Sequence, residues 1–217
     1  MLLDWSAIDT VLLDMDGTLL DLNFDNVLWN EHIPLRYAEH HGMSAEDARE
    51  HLFAQFSAHR NTLRFYCLDH WSEVTGMDVV AMHRELTHLI RYRPHARAFL
   101  ARMMSSGRHV RLVTNAHRDG FEIKDEFTGL TELTHQTISS HDYDAPKESQ
   151  QFWQRFAQDH PFDKARALFI DDNVKVLDAA RTYGIAQLRI VSQPDSARPP
   201  RVGLDYPAFN GFDEIMP

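Results

Sequence analysis

The sequence has only one cysteine, Cys67, among its 217 residues. This excludes disulfides within the chain and a cysteine-based structural zinc site, and it fits a reducing compartment. Long hydrophobic runs are also missing, since every purely apolar stretch is far shorter than the ~20 residues that cross a bilayer. The first ten residues lack a basic segment ahead of an apolar run, so they do not predict a signal peptide. We therefore expect a soluble, cytoplasmic protein.

Positive charge is scarce as well. The chain has 22 Lys and Arg against 32 Asp and Glu, which gives a formal net charge of -10. This balance argues against binding to nucleic acid, although a local cationic pocket for one phosphate is compatible with it. The 14 histidines are scattered without HExxH-type spacing, so we expect them on the surface and not as metal ligands. Nothing in the sequence predicts an oligomeric state.

Short runs of β-branched residues and leucine alternate with helical patterns along most of the chain. Each run ends in polar or small residues, and helical periodicity is clear over Ser149 to Gln158 and over Val174 to Tyr183. This alternation predicts an α/β fold with a doubly wound parallel sheet that helices cover on both faces. The predicted strands are 10–13, 109–113, 136–139, 167–170 and 187–191.

A long segment between the first two predicted strands contains no convincing strand. A crossover needs only about a dozen residues, so the excess indicates an inserted module. Its pattern is helical: Trp29, Ile33 and Tyr37 share one face, and Ser44 followed by Asp47 is typical of a helix start. We predict a small four-helix cap over residues 23–93, inserted after the first strand of a core formed by 1–22 and 94–217.

The strongest chemical signal is the pair Asp14 and Asp16, directly after the apolar strand and followed by Gly17 and Thr18. Residues two apart on an extended chain project the same way, so both carboxylates leave the carboxyl end of a strand, where open α/β sheets bind ligands. Adjacent carboxylates repel unless a cation or a shared proton separates them, and oxygen ligands suit Mg²⁺. A polar turn at the end of a strand is the alternative.

Three further features follow later strands. Thr114 and Asn115 can donate hydrogen bonds to phosphate oxygens, although such residues also start many loops. Lys147 stands at the start of a predicted helix, where an anion would offset its position at the positive end of the helix dipole; the alternative is an exposed loop lysine. Asp171 and Asp172 form a second acidic pair at a strand end, and one of them can serve as a helix N-cap.

The ordered set Asp14-x-Asp16-Gly17-Thr18, Thr114-Asn115, Lys147 and Asp171-Asp172 resembles the four signature motifs of the haloacid dehalogenase (HAD) superfamily of phosphohydrolases. The helical insert resembles that superfamily's C1-type cap. The fourth motif departs from the common Gly-Asp-x-x-x-Asp form, because the later position is Val176. The two adjacent acids must then supply the metal environment, and we favour Asp172 as the direct ligand, with Asp171 binding directly or through water.

The resemblance implies roles for these residues. Asp14 is the nucleophile that forms an aspartyl-phosphate, and Asp16 is the general acid and base. Mg²⁺ is held by Asp14, the backbone carbonyl of Asp16 and the acidic pair 171–172, while Thr114, Asn115 and Lys147 hold the phosphate oxygens. A dehalogenase needs no acid for its halide leaving group and typically lacks the second aspartate, so Asp16 favours phosphate chemistry.

More narrowly, the chain resembles the bacterial GMP/IMP 5'-nucleotidases of this superfamily. The similarity covers residues 10–22 and 24–26, the cap segments 62–63 and 66–72, and the stretches 114–117 and 168–172. It implies a Mg²⁺-dependent phosphatase that acts on a small phosphate ester, a purine nucleoside 5'-monophosphate. The alternatives are a sugar-phosphate or phosphoglycolate phosphatase, a phosphomutase, or a non-catalytic regulator that binds Mg²⁺ and phosphate.

Overall fold

The computed structural model describes residues 3–217 and contains one parallel sheet. Its strand order is β3-β2-β1-β4-β5-β6, and every neighbouring pair is parallel. This is the order of a doubly wound sheet, so the predicted fold class is confirmed. The sixth strand was not predicted. The strands are β1 Thr10–Leu13, β2 His109–Thr114, β3 Gln136–Ser139, β4 Ala167–Asp171, β5 Gln187–Val191 and β6 Ala208–Phe209.

Helices fill the connections between the strands. The first two α-helices of the chain, 23–27 and 33–41, are joined into one continuous helix by the π-helical turn Leu28–His32. No helix within residues 3–217 is both long and apolar enough to cross a membrane. The α-helices are α1 Asn23–Val27, α2 Ile33–His41, α3 Ala45–His59, α4 Leu68–Thr75, α5 Val79–Glu85, α6 Ala96–Met104, α7 Arg118–Thr128, α8 Gln150–Asp159 and α9 Val174–Tyr183.

Strand β1 shows how the sheet is buried on both faces. Its four residues are all buried, as expected for a central parallel strand. Leu13 packs with Phe99 of α6 on one face, whereas Leu12 packs with Trp153 of α8 and Leu177 of α9 on the other. Each fully buried side chain of this size stabilises the fold by roughly 1.5 to 3 kcal/mol. The carboxyl end of β1 is thereby held at the centre of the molecule.

Helices α1 to α5 lie between β1 and β2 and have an apolar core of their own. Trp71 of α4 is fully buried there and contacts the rings of Trp29 and Phe56 edge-on, with centroids 6.3 and 4.8 Å away. The predicted start of α3 is confirmed, because the Ser44 hydroxyl accepts a hydrogen bond from the Asp47 N–H at 3.0 Å. This segment therefore forms its own helical layer, with local contacts that do not depend on the sheet.

The chain enters and leaves this helical segment at adjacent points. The Asp21 N–H donates to the Arg91 carbonyl at 3.0 Å, and the Arg93 N–H donates to the Leu19 carbonyl at 2.9 Å. The Arg91 guanidinium also donates to the Asp21 carboxylate at 2.9 Å. An insertion with paired ends is what the sequence predicts for residues 23–93, although its function as a cap and the domain boundaries stay predictions.

Candidate active site

The candidate active site lies where the strand order reverses, between the carboxyl ends of β1 and β4. Leu13 is in register with Ile170, and the N–H of Asp14 donates to the Ile170 carbonyl at 3.0 Å. Asp14 directly follows β1, and Asp171 is the last residue of β4. The sheet thus brings two acids that are far apart in sequence to the edge where open α/β sheets bind ligands.

Lys147 connects these two acids. Its Nζ atom lies 2.5 Å from Asp14 Oδ1, 2.8 Å from Asp171 Oδ2 and 3.0 Å from the Val113 carbonyl oxygen. The side chain is only 2% exposed, so the alternative of a solvent-exposed loop lysine is wrong. Burial alone would lower the pKa of Lys147, but the charges of Asp14 and Asp171 outweigh it and raise that pKa. The lysine therefore stays a cation beside Asp14.

Asp14, Asp171 and Asp172 form a group of carboxylates. One oxygen from each can lie within 4.8 Å of the others. Burial, followed by the charge of Asp171, raises the pKa of Asp172 to about 7, and burial raises the pKa of Asp14 well above its usual range. Lys147 alone leaves net negative charge in this group, and hard oxygen donors are the ligands that Mg²⁺ prefers. The donor set fits that ion.

The two adjacent acids differ in how they are engaged. Both oxygens of Asp171 accept hydrogen bonds, one from Lys147 and the other from the N–H of Asn173 at 2.8 Å. Over residues 3–217 no hydrogen bond or ion pair reaches the carboxylate of Asp172. Neither acid caps α9, since the N-cap is Asn173. The free carboxylate of Asp172 supports its predicted role as the direct ligand.

The backbone of Gly17 lies very close to the side chain of Asp172. Its φ angle is +80°, in the left-handed region that favours glycine. A Cβ atom added there would lie 2.8 Å from the carboxyl carbon of Asp172 and 3.0 Å from Pro194 Cβ. The glycine therefore lets the chain turn after Asp16 while the Asp172 carboxylate approaches the backbone.

Asp16 points to a different partner. Its Oδ1 accepts from Lys124 Nζ at 2.6 Å, and the same nitrogen donates to Asp25 Oδ1 at 2.7 Å. Burial and the charge of Asp25 raise the pKa of Asp16 to about 6, against the opposing effect of Lys124. Neither Lys124 nor Asp25 was predicted as a site residue. Because the side chain of Asp16 is bound to Lys124, only the backbone of Asp16 is available to the cluster formed by Asp14, Asp171 and Asp172.

Thr114 and Asn115 lie next to the acids at the end of β2. Thr114 is 2% exposed, and its hydroxyl accepts from the Ala116 N–H at 3.0 Å. Asn115 Oδ1 accepts from the backbone N–H of Lys147 at 2.9 Å, and its Nδ2 donates to Glu148 at 3.0 Å. The Asn115 side chain thus holds the turn that carries Lys147. Contacts of both residues with phosphate stay predictions.

Tyr66 links the helical segment to this turn. Its hydroxyl donates to Glu148 Oε1 at 2.8 Å, while Glu148 Oε2 accepts from Asn115. Burial and the Glu148 charge raise the pKa of Tyr66, so the phenol keeps its proton. A hydrogen-bonded path therefore runs from the helical segment through Glu148 and Asn115 to Lys147, and the sequence did not predict it.

The arrangement suits displacement at an electron-poor centre. Asp14 presents a buried carboxylate, a candidate nucleophile, beside a fixed cation and a group of oxygen donors that fits a metal ion. Asp16, with a pKa of about 6, can hold or release a proton near neutral pH. The structure brings Asp14, Lys147, Asp171 and Asp172 into one cluster and sets Asp16, Thr114 and Asn115 around it.

Comparisons with known proteins agree with this chemistry. A family model described as haloacid dehalogenase-like hydrolase matches residues 8–184. The chain is 38% identical over 213 residues to the GMP/IMP nucleotidase YrfG of Escherichia coli, and equally to that of Shigella flexneri, covering 98% of this chain and 96% of each relative.

Solved structures show the same fold at low sequence identity. A HAD phosphatase from Thermococcus onnurineus superposes with a TM-score of 0.79 at 17% identity, covering 95% of both chains. The hydrolase YfnB from Bacillus subtilis, bound to magnesium, superposes with a TM-score of 0.64 at 16% identity, covering 95% of this chain and 96% of that one. At these identities the likeness concerns the fold.

Proposed function

The chain belongs to the haloacid dehalogenase-like hydrolase family, and from this premise we propose that it is a Mg²⁺-dependent 5'-nucleotidase that removes phosphate from GMP and IMP. The phosphohydrolase chemistry is that of the family. The purine nucleotide substrate rests on one observation, the 38% identity to a GMP/IMP nucleotidase over 98% of this chain. Residues 23–93 would act as the cap that selects the substrate.

Asp14 would attack phosphorus through a carboxylate oxygen, breaking the ester bond and giving an aspartyl-phosphate. Asp16 would protonate the leaving nucleoside 5'-oxygen and then accept a proton from the water that hydrolyses the intermediate. Its pKa of about 6 suits both steps at neutral pH. The hydrogen bond from Lys124 would keep the Asp16 carboxylate oriented between the two half-reactions.

Lys147 would supply fixed positive charge to the phosphoryl oxygens, since it is buried and already lies against Asp14. Preorganised charge of this kind carries most of the catalysis in phosphoryl transfer. Thr114 and the backbone of Asn115 would bind further phosphoryl oxygens. When bound by Asp14, the Asp16 carbonyl and Asp172, Mg²⁺ would neutralise charge between carboxylate and phosphate. A cytoplasmic location would match this small-molecule substrate.

The test is a panel of phosphate esters assayed with Mg²⁺ and with a chelator. The panel contains GMP, IMP, AMP, pyrimidine nucleotides, phosphoglycolate and sugar phosphates. We expect GMP and IMP to have kcat/KM at least tenfold above the other compounds, and release of phosphate to stop without the metal. A preference for phosphoglycolate or a sugar phosphate would refute the nucleotidase assignment and leave the phosphatase assignment intact.

The nucleophile is tested by Asp14→Asn. An amide oxygen is a poor nucleophile, so we expect Mg²⁺-dependent release of phosphate to fall at least a thousandfold, which corresponds to about 4 kcal/mol in the barrier. Asp205→Asn, at an exposed acid, is the control and should keep full activity. Circular dichroism checks that both variants fold. Near wild-type turnover in Asp14→Asn would rule out the covalent mechanism.

A further inference from the structure

Three potential metal ligands outside the carboxylate group meet between the helical segment and the sheet. Cys67 directly precedes α4, His117 directly precedes α7, and His141 lies in the short helical turn Ser140–Tyr143 after β3. One ligand atom from each, a thiol sulfur and two ring nitrogens, can lie within 4.8 Å of the others. Residues distant in sequence are thus gathered into a compact set of sulfur and nitrogen donors.

Two of these donors lack a hydrogen bond. His117 Nδ1 and His141 Nε2 are shielded from solvent and form no hydrogen bond within residues 3–217. Buried ring nitrogens are normally satisfied, so two unsatisfied ones beside a thiol point to a ligand.

Acidic residues surround His117. Its Nε2 lies 3.7 Å from Asp69 Oδ2, and its Nδ1 lies 3.5 Å from Asp119 Oδ2. Histidine ligands to metals commonly have a carboxylate near the ring nitrogen that does not bind the metal, and here an acid lies beside either nitrogen of His117. These acids also offset the positive end of the α7 dipole, which alone would disfavour a cation beside its first turn.

We propose that Cys67, His117 and His141 bind a borderline-soft divalent cation of the Zn²⁺ class. A single cysteine excludes a site built on several thiolates, but one thiolate and two imidazoles also suffice, so this proposal revises the expectation that the chain has neither a cysteine-based zinc site nor histidine metal ligands. Thiolate and imidazole select Zn²⁺ over Mg²⁺, whereas the carboxylates of Asp14, Asp171 and Asp172 have the opposite preference. Tetrahedral ligands at about 2.0 to 2.3 Å from zinc are roughly 3.5 Å apart, so small side-chain rotations close the site. Binding converts the Cys67 thiol to a thiolate, its proton passes to solvent, and a water fills the fourth position.

The location gives the ion a structural consequence. Cys67 belongs to the helical segment, and His117 and His141 belong to loops at the carboxyl ends of β2 and β3. An ion held by all three would fasten the helical segment to the sheet, next to the hydrogen bond from Tyr66 to Glu148. The site is accessible, since the His117 side chain is 16% exposed and Cys67 is half-buried.

Cobalt substitution tests this site directly, because Co²⁺ reports a thiolate ligand through a charge-transfer absorption band. Cys67 is the only cysteine of the chain, so such a band can come from this site alone. The full chain is titrated with Co²⁺ under reducing conditions, with Mg²⁺ in large excess to fill the carboxylate group. We expect the band to saturate at one equivalent, to disappear when Zn²⁺ is added, and to coincide with a rise in Tm.

Variants assign the ligands. Cys67→Ser should abolish the band, and His117→Gln or His141→Gln should weaken Co²⁺ binding at least tenfold. His51→Gln, at an exposed histidine of α3, is the matched control and should bind as the wild type does. Circular dichroism shows that each variant is folded. The proposal is overturned by wild-type protein that shows no thiolate band, or by unchanged affinity in both folded histidine variants, whatever the substrate panel shows.

Discussion

Lys124 is the side chain on which the geometry of Asp16 depends. It is 4% exposed and donates both to Asp16 and to Asp25. Without it, two partly buried carboxylates would face each other without a cation. Removing one partner from a buried ion pair commonly costs 3 to 5 kcal/mol. Here the cost should lie at the lower end of that range, since the side chains of Asp16 and Asp25 are 22% and 19% exposed.

We therefore predict that Lys124→Met lowers the free energy of unfolding by about 3 kcal/mol and lowers kcat at least tenfold. The matched control is Lys175→Met, at an exposed lysine, with an expected change below about 0.5 kcal/mol. Urea denaturation and steady-state kinetics measure both effects. Equal stability and activity of the two variants would show that Lys124 does not hold Asp16.

A comparison of Gly17 with Gly42 tests the close approach of the Asp172 carboxyl group to the backbone at Gly17. Both have φ in the left-handed region, at +80° and +64°, but an added Cβ meets the Asp172 carboxyl group at Gly17 and nothing within 4 Å at Gly42. We expect Gly42→Ala to cost about 1 kcal/mol from backbone strain alone. Gly17→Ala should cost at least about 1 kcal/mol more and should raise the Mg²⁺ concentration needed for half-maximal activity. Identical losses would exclude the steric contribution of Asp172.

Residues within contiguous motifs could be predicted from the sequence, and residues that act through tertiary contacts could not. Asp14 and Asp16 follow an apolar strand in a short pattern, so their placement is local. Lys147 is isolated in sequence and gained its role only from resemblance. Lys124 shows no motif, because Asp16, which follows β1, and Asp25 of α1 meet it only in the folded chain. Tertiary contact alone identifies it.

Helix α7 was not predicted, and its composition explains why. The buried positions of the helix are Gly120, Phe121, Ile123 and Lys124, of which only two are large apolar residues. Helical periodicity in hydrophobic residues is the signal by which such helices are recognised, and here a glycine and a lysine occupy part of the buried face. One of these polar residues is Lys124, whose ammonium group reaches Asp16 from the buried face of the helix.

Helix α5 packs on α7 and carries His83, which contradicts the expectation of surface histidines. His83 is 3% exposed, and its Nδ1 lies 2.8 Å from the Val79 carbonyl oxygen, to which it donates. Burial lowers the pKa of His83 to about 4. In the unfolded chain the pKa of a histidine is near 6.5. As the pH falls below about 6.5, the unfolded chain therefore binds a proton at His83, whereas the folded chain does not.

His83 stabilises the fold above its unfolded pKa, and that contribution is lost as the pH falls toward about 4. Between pH 7.5 and 5 the wild type should lose about 2 kcal/mol through this group. His83→Gln should remove that part of the slope, whereas His51→Gln should not. Urea denaturation at both pH values measures it, and the difference between variants cancels the opposing titration of Asp16 and Asp172.

Across the whole molecule, the hydrogen bond from Tyr66 to Glu148 joins the helical segment to the active-site turn. We predict that Tyr66→Phe lowers the free energy of unfolding by about 1 kcal/mol and raises KM more than it lowers kcat, because the segment then docks less often. Tyr37→Phe is the control, since this tyrosine is buried within the same segment and its hydroxyl bonds to no residue of the described chain. Equal KM values in the two variants would argue against the link.

The central strands of the sheet could be predicted from the sequence better than the edge strand and the contacts between loops. Central strands such as Thr10–Leu13 and Ala167–Asp171 are apolar except for the terminal Thr10 and Asp171, and this composition predicts burial on both faces. Strand β6 has only two residues, Ala208–Phe209, and is too short to produce a periodic signal. The contact between Cys67, His117 and His141 depends on how loops from three elements meet, which local sequence does not encode.

The pairing of β1 has a consequence for synthesis on the ribosome. Its neighbours are β2, which begins at His109, and β4, which begins at Ala167. Helices α1 to α5, by contrast, make contacts of short sequence separation, which form quickly. We therefore expect the helical segment to fold first as the chain emerges, while the edge of β1 that pairs with β4 stays unpaired until residues 167–171 have been translated. Of the carboxylates grouped around Asp14, Asp171 and Asp172 are the last to be translated.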